Sequence, residues 1–104
     1  MNNDADNEQF RSMRFSLDDS NSIEMTAKCI SAQSSRRDDK PNWAELYVYV
    51  TQDGTFIGQS IGATSVEGQK NFYHTCITRS AKVLKQFFGN GELSRKLLSD
   101  INLK

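Results

Sequence analysis

Histidine, cysteine and proline are all scarce in this sequence of 104 residues, which has one histidine, two cysteines and one proline. A single histidine, His74, excludes a multi-histidine metal site. The cysteines, Cys29 and Cys76, lack the short paired spacing of zinc ligands and lie in apolar patterns. We expect both to be buried free thiols in a reducing compartment, and we expect no metal.

Catalytic groups are scarce as well. His74 has no nucleophile spaced to pair with it, and turns or caps explain most carboxylates of residues 22–104. Glu45 is the exception, but a single acid does not form a general acid–base pair. Three glycines within residues 54–62 lack the order and the strand–helix context of a dinucleotide-binding loop. The sequence therefore predicts a protein that is not an enzyme and needs no cofactor.

Long apolar runs are missing too. No stretch approaches the roughly 20 apolar residues that span a bilayer, and the acidic N-terminus has no signal-peptide core. We therefore expect a soluble, cytoplasmic protein without membrane contact. The 13 basic and 13 acidic residues cancel, which argues against wholesale binding of polyanions.

The apolar residues that are present lie mostly after position 21. Residues 1–21 predict an acidic, largely disordered arm in which residues 11–17 can form a short strand. Residues 22–104 predict a single α+β domain.

Three segments of this domain have the composition and period of β-strands. They are residues 22–33, 43–52 and 55–61, rich in β-branched and aromatic side chains. Asp53 and Gly54 predict a tight hairpin between the last two strands. Short links make the sheet an antiparallel meander.

The rest of the domain predicts two helices. Thr64 and Glu67 are spaced as a capping box, and an apolar stripe at helical spacing then runs to residue 88. Gly89 suits the end of this long helix, and a short helix follows over residues 92–102. The predicted fold class is α+β: an antiparallel sheet of three to four strands, followed by one long and one short helix packed on one face.

Helices on one face leave the other face of the sheet uncovered. We predict that an apolar patch, too large to be routine on a monomer, lies there. Its members are Ile30, Trp43, Tyr47, Tyr49 and Phe56. The sequence leaves open three ways in which this patch is covered. The chain's own Phe10, Met13 and Phe15 can pack on it, it can form a dimer or partner interface, or nucleic-acid bases can stack on it.

The polar side of the predicted long helix carries bases and no acid. His74, Arg79, Lys82 and Lys85 lie there, and Arg36 and Arg37 in the loop of residues 34–42 add further positive charge. Such a surface suits a phosphate backbone or an acidic partner, including the acidic arm of the same chain.

The order of elements resembles two nucleic-acid binders. Three strands and a helix, with Gly58 and Gly62 spaced before the helix, are similar to the second part of a double-stranded RNA-binding domain. Residues 65–68 lack the lysines that such domains place there. A four-stranded sheet followed by one helix is similar to dimeric single-strand binders. Neither resemblance carries a site residue to this chain.

The sequence favours a non-catalytic binding protein over the other classes. We expect a small regulator or adaptor that acts through protein contacts, as a homodimer. The alternative is a nucleic-acid-binding protein that uses the aromatic sheet face and the basic helix face.

Overall fold

The computed structural model describes residues 10–17 and 21–101. The first nine residues of the predicted disordered arm lie outside the described part, as do residues 18–20 and 102–104. The elements in chain order are β1 (Arg11–Ser16), β2 (Ser22–Ser34), β3 (Asn42–Thr51), β4 (Phe56–Thr64), β5 (Phe72–Thr78), α1 (Ala81–Phe88) and α2 (Glu92–Ser99).

The five strands form one antiparallel meander in the order β1-β2-β3-β4-β5. The predicted α+β class and the hairpin at Gly54, whose φ is 89°, are confirmed. The strand count is corrected to five, because the short strand expected over residues 11–17 forms as β1 and a further strand, β5, follows β4. None of the helices in the described ranges has both the length and the apolar character to cross a membrane.

The predicted long helix is wrong over its first two thirds. Residues 64–80 contain the end of β4, a turn and β5, and the helix itself is limited to α1. The hydroxyl of Thr64 accepts a hydrogen bond from the backbone N–H of Val66 at 3.1 Å, within a turn rather than a capping box. The N-cap is Ser80, whose hydroxyl accepts from the N–H of Val83 at 3.2 Å.

The end of α1 agrees with the sequence. Gly89 has a φ of 77°, and its N–H donates to the carbonyl of Lys85 at 2.9 Å. A positive φ costs glycine little, so the chain can leave the helix here and begin α2 after three residues.

Both helices pack on the same face of the sheet, which we call the helix face. Its centre joins Leu46 and Val48 of β3 to Leu84 of α1 and Leu97 of α2. The partly buried side chains packed around this centre are Ile30, Phe56, Phe88, Leu93 and Ile101. The prediction that Ile30 and Phe56 share a face with Trp43 is therefore wrong.

The pairing of the strands explains why Ile30 and Phe56 lie on the helix face. Phe56 pairs with Val50 across the hairpin, so it lies on the face of the even-numbered β3 residues. Ile30 is the extra residue of a β-bulge between Cys29 and Ser31.

Buried serines complete the helix face. Ser31, next to the bulge, donates a hydrogen bond to the carbonyl of Leu97 at 2.7 Å. Ser94 donates to the carbonyl of Phe88 at 2.8 Å. These bonds satisfy carbonyls in the last turns of α2 and α1, which have no partner inside their helices.

The opposite face, here called the inner face, is covered at one end by β1. Phe15 is buried there against Ala27 and Ile57, with Tyr49 beside them. The sheet curls far enough for Thr75 of β5 to donate a hydrogen bond to the carbonyl of Ser16 at 2.7 Å. The chain's own N-terminal strand therefore covers part of the aromatic face.

Candidate binding site

Strand alternation places Trp43, Glu45, Tyr47 and Tyr49 on the inner face, since successive side chains of β3 point to opposite sides. Tyr47 and Tyr49 stack with ring centroids 6.0 Å apart. Tyr49 also meets the edge of Phe15, with centroids 4.9 Å apart. Tyr49 thus belongs to the end covered by β1, whereas Tyr47 and Trp43 extend beyond it.

Glu45 is held by aromatic donors on both sides. The indole N–H of Trp43 donates to Oε2 at 2.6 Å, and the hydroxyl of Tyr47 donates to Oε1 at 2.7 Å. These bonds, with that from Trp43 first, lower the pKa of Glu45 below its usual value. The same carboxylate raises the pKa of Tyr47 to about 12. Glu45 is therefore an ionised acceptor with a fixed orientation.

Arg36 completes this cluster. Its guanidinium lies 4.7 Å from the centre of the Trp43 ring, a cation–π distance, and its charge further lowers the pKa of Glu45. Arg37 is not brought to the site, because it pairs with Asp39 at 3.3 Å on the surface.

Gln59 of β4 is a site residue that the sequence analysis missed. It pairs directly with Tyr47 on one side and Thr75 on the other, so its side chain lies on the inner face. Only 7% of Gln59 is exposed, and in the described ranges no side-chain N or O atom is buried without a hydrogen-bond partner. Its position opposite Tyr47 in the alternation of β3 and β4 is the signal that could have indicated it.

Gln59, Ile61 and Ala63 of β4 form a buried row on the inner face. Glu45 and Tyr47 of β3 lie beside this row on one side, and Tyr73 of β5 lies beside it on the other. At the end remote from β1, Trp43 and Ala63 also line an open groove of about 680 Å³. The groove continues along the turn after β4, where Lys70, Asn71 and Phe72 line it.

The edge strand β5 is the most exposed apolar segment described. Phe72 is 66% exposed, Tyr73 37% and Ile77 40%. Its backbone has a ladder partner only in β4, because β1 and β5 are not neighbours in the sheet, although β1 approaches β5 where the hydroxyl of Thr75 donates to Ser16. An edge of this kind is a template for pairing with another strand.

The predicted anion-binding residues do not form one helical stripe. His74 lies in β5, and Arg79, after it, is tied to Asp53 at 3.0 Å. Lys82 and Lys85 do lie on α1, where they line an open hollow of about 500 Å³. The basic face is therefore reduced to two lysines of one short helix.

The two cysteines are not buried as predicted, and His74 lies on a strand rather than on a helix. Cys29 is exposed and Cys76 half-buried, and both are free thiols whose pKa values are raised by partial burial. Because residues 72–78 form a strand, His74 and Cys76 lie on the same face, but no hydrogen bond joins them. In the described ranges, no three His, Cys, Asp or Glu side chains are grouped to hold a metal ion.

Comparison with known proteins adds no relative. No family model matches the chain, and no curated protein and no solved structure matches it either. The function must therefore be inferred from the edge strand, the aromatic inner face and their chemistry.

Proposed function

We propose that this protein is a non-catalytic binding protein, a small regulator or adaptor that acts through protein contacts along the outer edge of β5. The first partner is a second copy of the chain. The observation that carries the proposal is the exposure of Phe72, Tyr73 and Ile77 on a strand whose outer backbone groups have no ladder partner.

Pairing at β5 would remove two unfavourable features together. The outer N–H and C=O groups of the strand would gain hydrogen bonds, and the apolar side chains beside them would leave water. Natural edge strands are commonly protected by charged residues, proline or bulges. Residues 72–78 contain no lysine, acid or proline, and their register with β4 is unbroken.

A second copy fits this edge by symmetry. Two identical strands can pair antiparallel across a two-fold axis, so each edge serves as template and partner at once. The pairing would place aromatic and β-branched side chains of the two strands opposite one another, a favourable combination in antiparallel ladders.

The test is the mass of the protein in solution, measured by light scattering over a concentration series. The wild type is expected at twice 11.8 kDa. Ile77→Lys should reduce the mass to that of the single chain, because it would bury a lysine charge at the apolar contact. Val83→Lys is the matched control, since Val83 of α1 is exposed to a similar extent, 43%, outside β5.

The measured masses either support or contradict pairing at β5. A dimer that Ile77→Lys dissociates and Val83→Lys leaves intact supports the proposal. A wild type that keeps the single-chain mass at every concentration contradicts it, as does a dimer that tolerates Ile77→Lys.

Nucleic-acid binding is the second candidate function. The observation that favours it is the aromatic row of β3, where Arg36 lies on Trp43 and Tyr47 stacks on Tyr49. Aromatic side chains on a sheet hold unpaired bases in many single-strand binders.

A further inference from the structure

The groove of about 680 Å³ beside Trp43 has an apolar part and a polar part. The apolar part consists of Trp43, Gly62, Ala63 and Phe72, and the Phe72 side chain is 66% exposed. A ligand that covered these residues would remove apolar surface from water, which favours binding. This part of the groove therefore suits an apolar group.

The polar part of the groove presents hydrogen-bond donors. Gln69 and Asn71 line it, and their side-chain oxygens are held inside the turn after β4. Oδ1 of Asn71 accepts from the backbone N–H of Thr64 at 3.0 Å, and Oε1 of Gln69 accepts from the hydroxyl of Thr64 at 3.1 Å. An amide whose oxygen is engaged in this way keeps its NH₂ group for a ligand. Lys70, between them in the chain, adds an ammonium group to the same lining.

The charge of the groove favours an anion. Among the described residues that line it, Lys70 carries the one charge and none is acidic. Arg36, on the ring of Trp43, adds positive charge beside the groove. Glu45 also contacts Trp43, but its carboxylate is already engaged by the indole N–H and by Tyr47. A ligand with a single negative charge next to an apolar group therefore matches the lining.

We propose that this groove binds the C-terminus of a partner polypeptide. The terminal carboxylate contacts Gln69, Lys70 and Asn71, and an apolar last side chain packs on Trp43 and Phe72. Capture of a terminal carboxylate by grouped N–H donors is a recurring mode of peptide recognition. The proposal adds a second partner to the adaptor role proposed above. It does not depend on pairing at β5, because each single chain carries the whole groove.

Two other anionic ligands fit the groove less well. A nucleic-acid strand carries a charge on every phosphate and is bound through several cations, whereas a single lysine lines this groove in the described part of the chain. A free small molecule is usually enclosed over most of its surface, and this groove is open. An open groove lets the rest of a polypeptide continue out of it.

The experiment measures the fluorescence anisotropy of a labelled pentapeptide of glycine and serine that ends in leucine. The full chain binds the labelled peptide, and unlabelled peptides compete with it. The free acid should compete roughly 5- to 50-fold more strongly than the C-terminal amide, which lacks the charge that the donors bind. A peptide that ends in serine should compete more weakly as well, because it lacks the apolar group. Quenching of Trp43, the only tryptophan in the chain, locates the binding.

Two variants with matched controls assign the contacts. Lys70→Met removes the charge and should weaken binding roughly 2- to 5-fold, whereas Lys96→Met on α2 should not change it. Gly62→Leu should abolish binding, because it places a side chain in the groove, where a Cβ would meet only Phe72, at 3.8 Å. Gly91→Leu, where a Cβ would meet nothing within 4 Å, should bind as the wild type does. Circular dichroism of each variant shows whether the sheet is retained.

The competition results decide the proposal. Binding of the free acid that Lys70→Met weakens and Lys96→Met leaves unchanged supports it. No rise in anisotropy, equal competition by the acid and the amide, or binding unchanged by Lys70→Met would overturn it. Competition by N-acetyl-leucine as strong as that of the whole peptide, or by a uridine hexamer in place of the peptide, would overturn it too.

The dimer and the groove can fail separately. Ile77→Lys, which opposes pairing at β5, should bind the peptide as the wild type does. A single-chain mass with peptide binding retained contradicts pairing at β5 alone. A dimer that binds no peptide contradicts the groove proposal alone.

Discussion

Gly58 of β4 lies directly beneath Leu84 of α1. A Cβ atom built on Gly58 would stand 2.8 Å from Cδ1 of Leu84 and 3.1 Å from the ring of Phe88. Atoms do not approach this closely without displacement, so the absent side chain is what allows α1 to pack against the sheet. Gly58 is thus one of the positions that set how closely α1 approaches the sheet.

Gly58→Ala should therefore lower the free energy of unfolding by about 1–3 kcal/mol, because it overpacks a filled core. Gly62→Ala is the matched control on the same strand and face, where a Cβ would meet only the Cβ of Phe72 at an ordinary 3.8 Å. The control should change stability by less than about 1 kcal/mol. Urea unfolding measures both, and equal losses would contradict the packing described here.

Ser31 ties α2 to the bulge in β2 through the carbonyl of Leu97. Ser31→Ala leaves that buried carbonyl without its donor and should cost about 1–3 kcal/mol of unfolding free energy. Ser99 makes a similar bond, to the carbonyl of Lys96 at 2.9 Å, but it is exposed. Ser99→Ala should cost less than about 0.5 kcal/mol by the same urea measurement. A Ser31→Ala loss no larger than that of Ser99→Ala would mean that the buried bond does not hold α2.

Tyr47 should ionise later than an ordinary tyrosine. The hydrogen bond to Glu45 raises its pKa from 10.0 to about 12, so the folded protein retains this proton where the unfolded chain has lost it. The stabilising contribution is present below pH 10 and is lost as the pH rises towards about 12. Phenolate absorbance measures the ionisation. Glu45→Gln should bring it back towards the ordinary value, and an unchanged titration would contradict the hydrogen bond.

Glu45 should titrate below the usual range of a glutamate. The folded pKa is lowered chiefly by the indole N–H of Trp43, so the contribution to stability is present at neutral pH and disappears as the pH falls through the folded pKa. Carboxyl NMR titration of the wild type and of Trp43→Phe measures this effect. The pKa is expected to rise in the variant, and Gln52→Leu, in the exposed hairpin loop, should leave it unchanged.

The strands of the meander could be predicted because their local signals agree. Residues 43–52 are rich in β-branched and aromatic side chains, and a glycine turn follows them. The helix end at Gly89 had an equally local signal. Each of these features depends on a few neighbouring residues, which is why it could be predicted without knowing the packing.

β5 was mistaken for a helix for a physical reason. Tyr73 and Ile77 are four residues apart, a spacing that places side chains on one face both of a strand and of a helix. The aromatic and β-branched composition of residues 72–78 was the better indicator. The stripe continues into α1, which made strand and helix look like one long helix.

The inner-face site was only partly accessible from sequence. Alternation placed Trp43, Glu45 and Tyr47 together, but it could not tell which face of each neighbouring strand lies beside them. A shift of one residue in register exchanges the two faces, and the bulge at Ile30 changes the pairing again. The sequence alone does not show that Gln59 lies beside Tyr47, because this follows only from the pairing of β4 with β3.

Pairing of β5 with a second copy is tested most directly by the hydrogen exchange of the β5 amides at low and high protein concentration. This pairing predicts that outward-facing amides of residues 72–78 become slower to exchange as concentration rises, while the amides of the exposed hairpin residues Gln52 and Asp53 do not change. Outward-facing β5 amides that exchange rapidly at every concentration would contradict the claim.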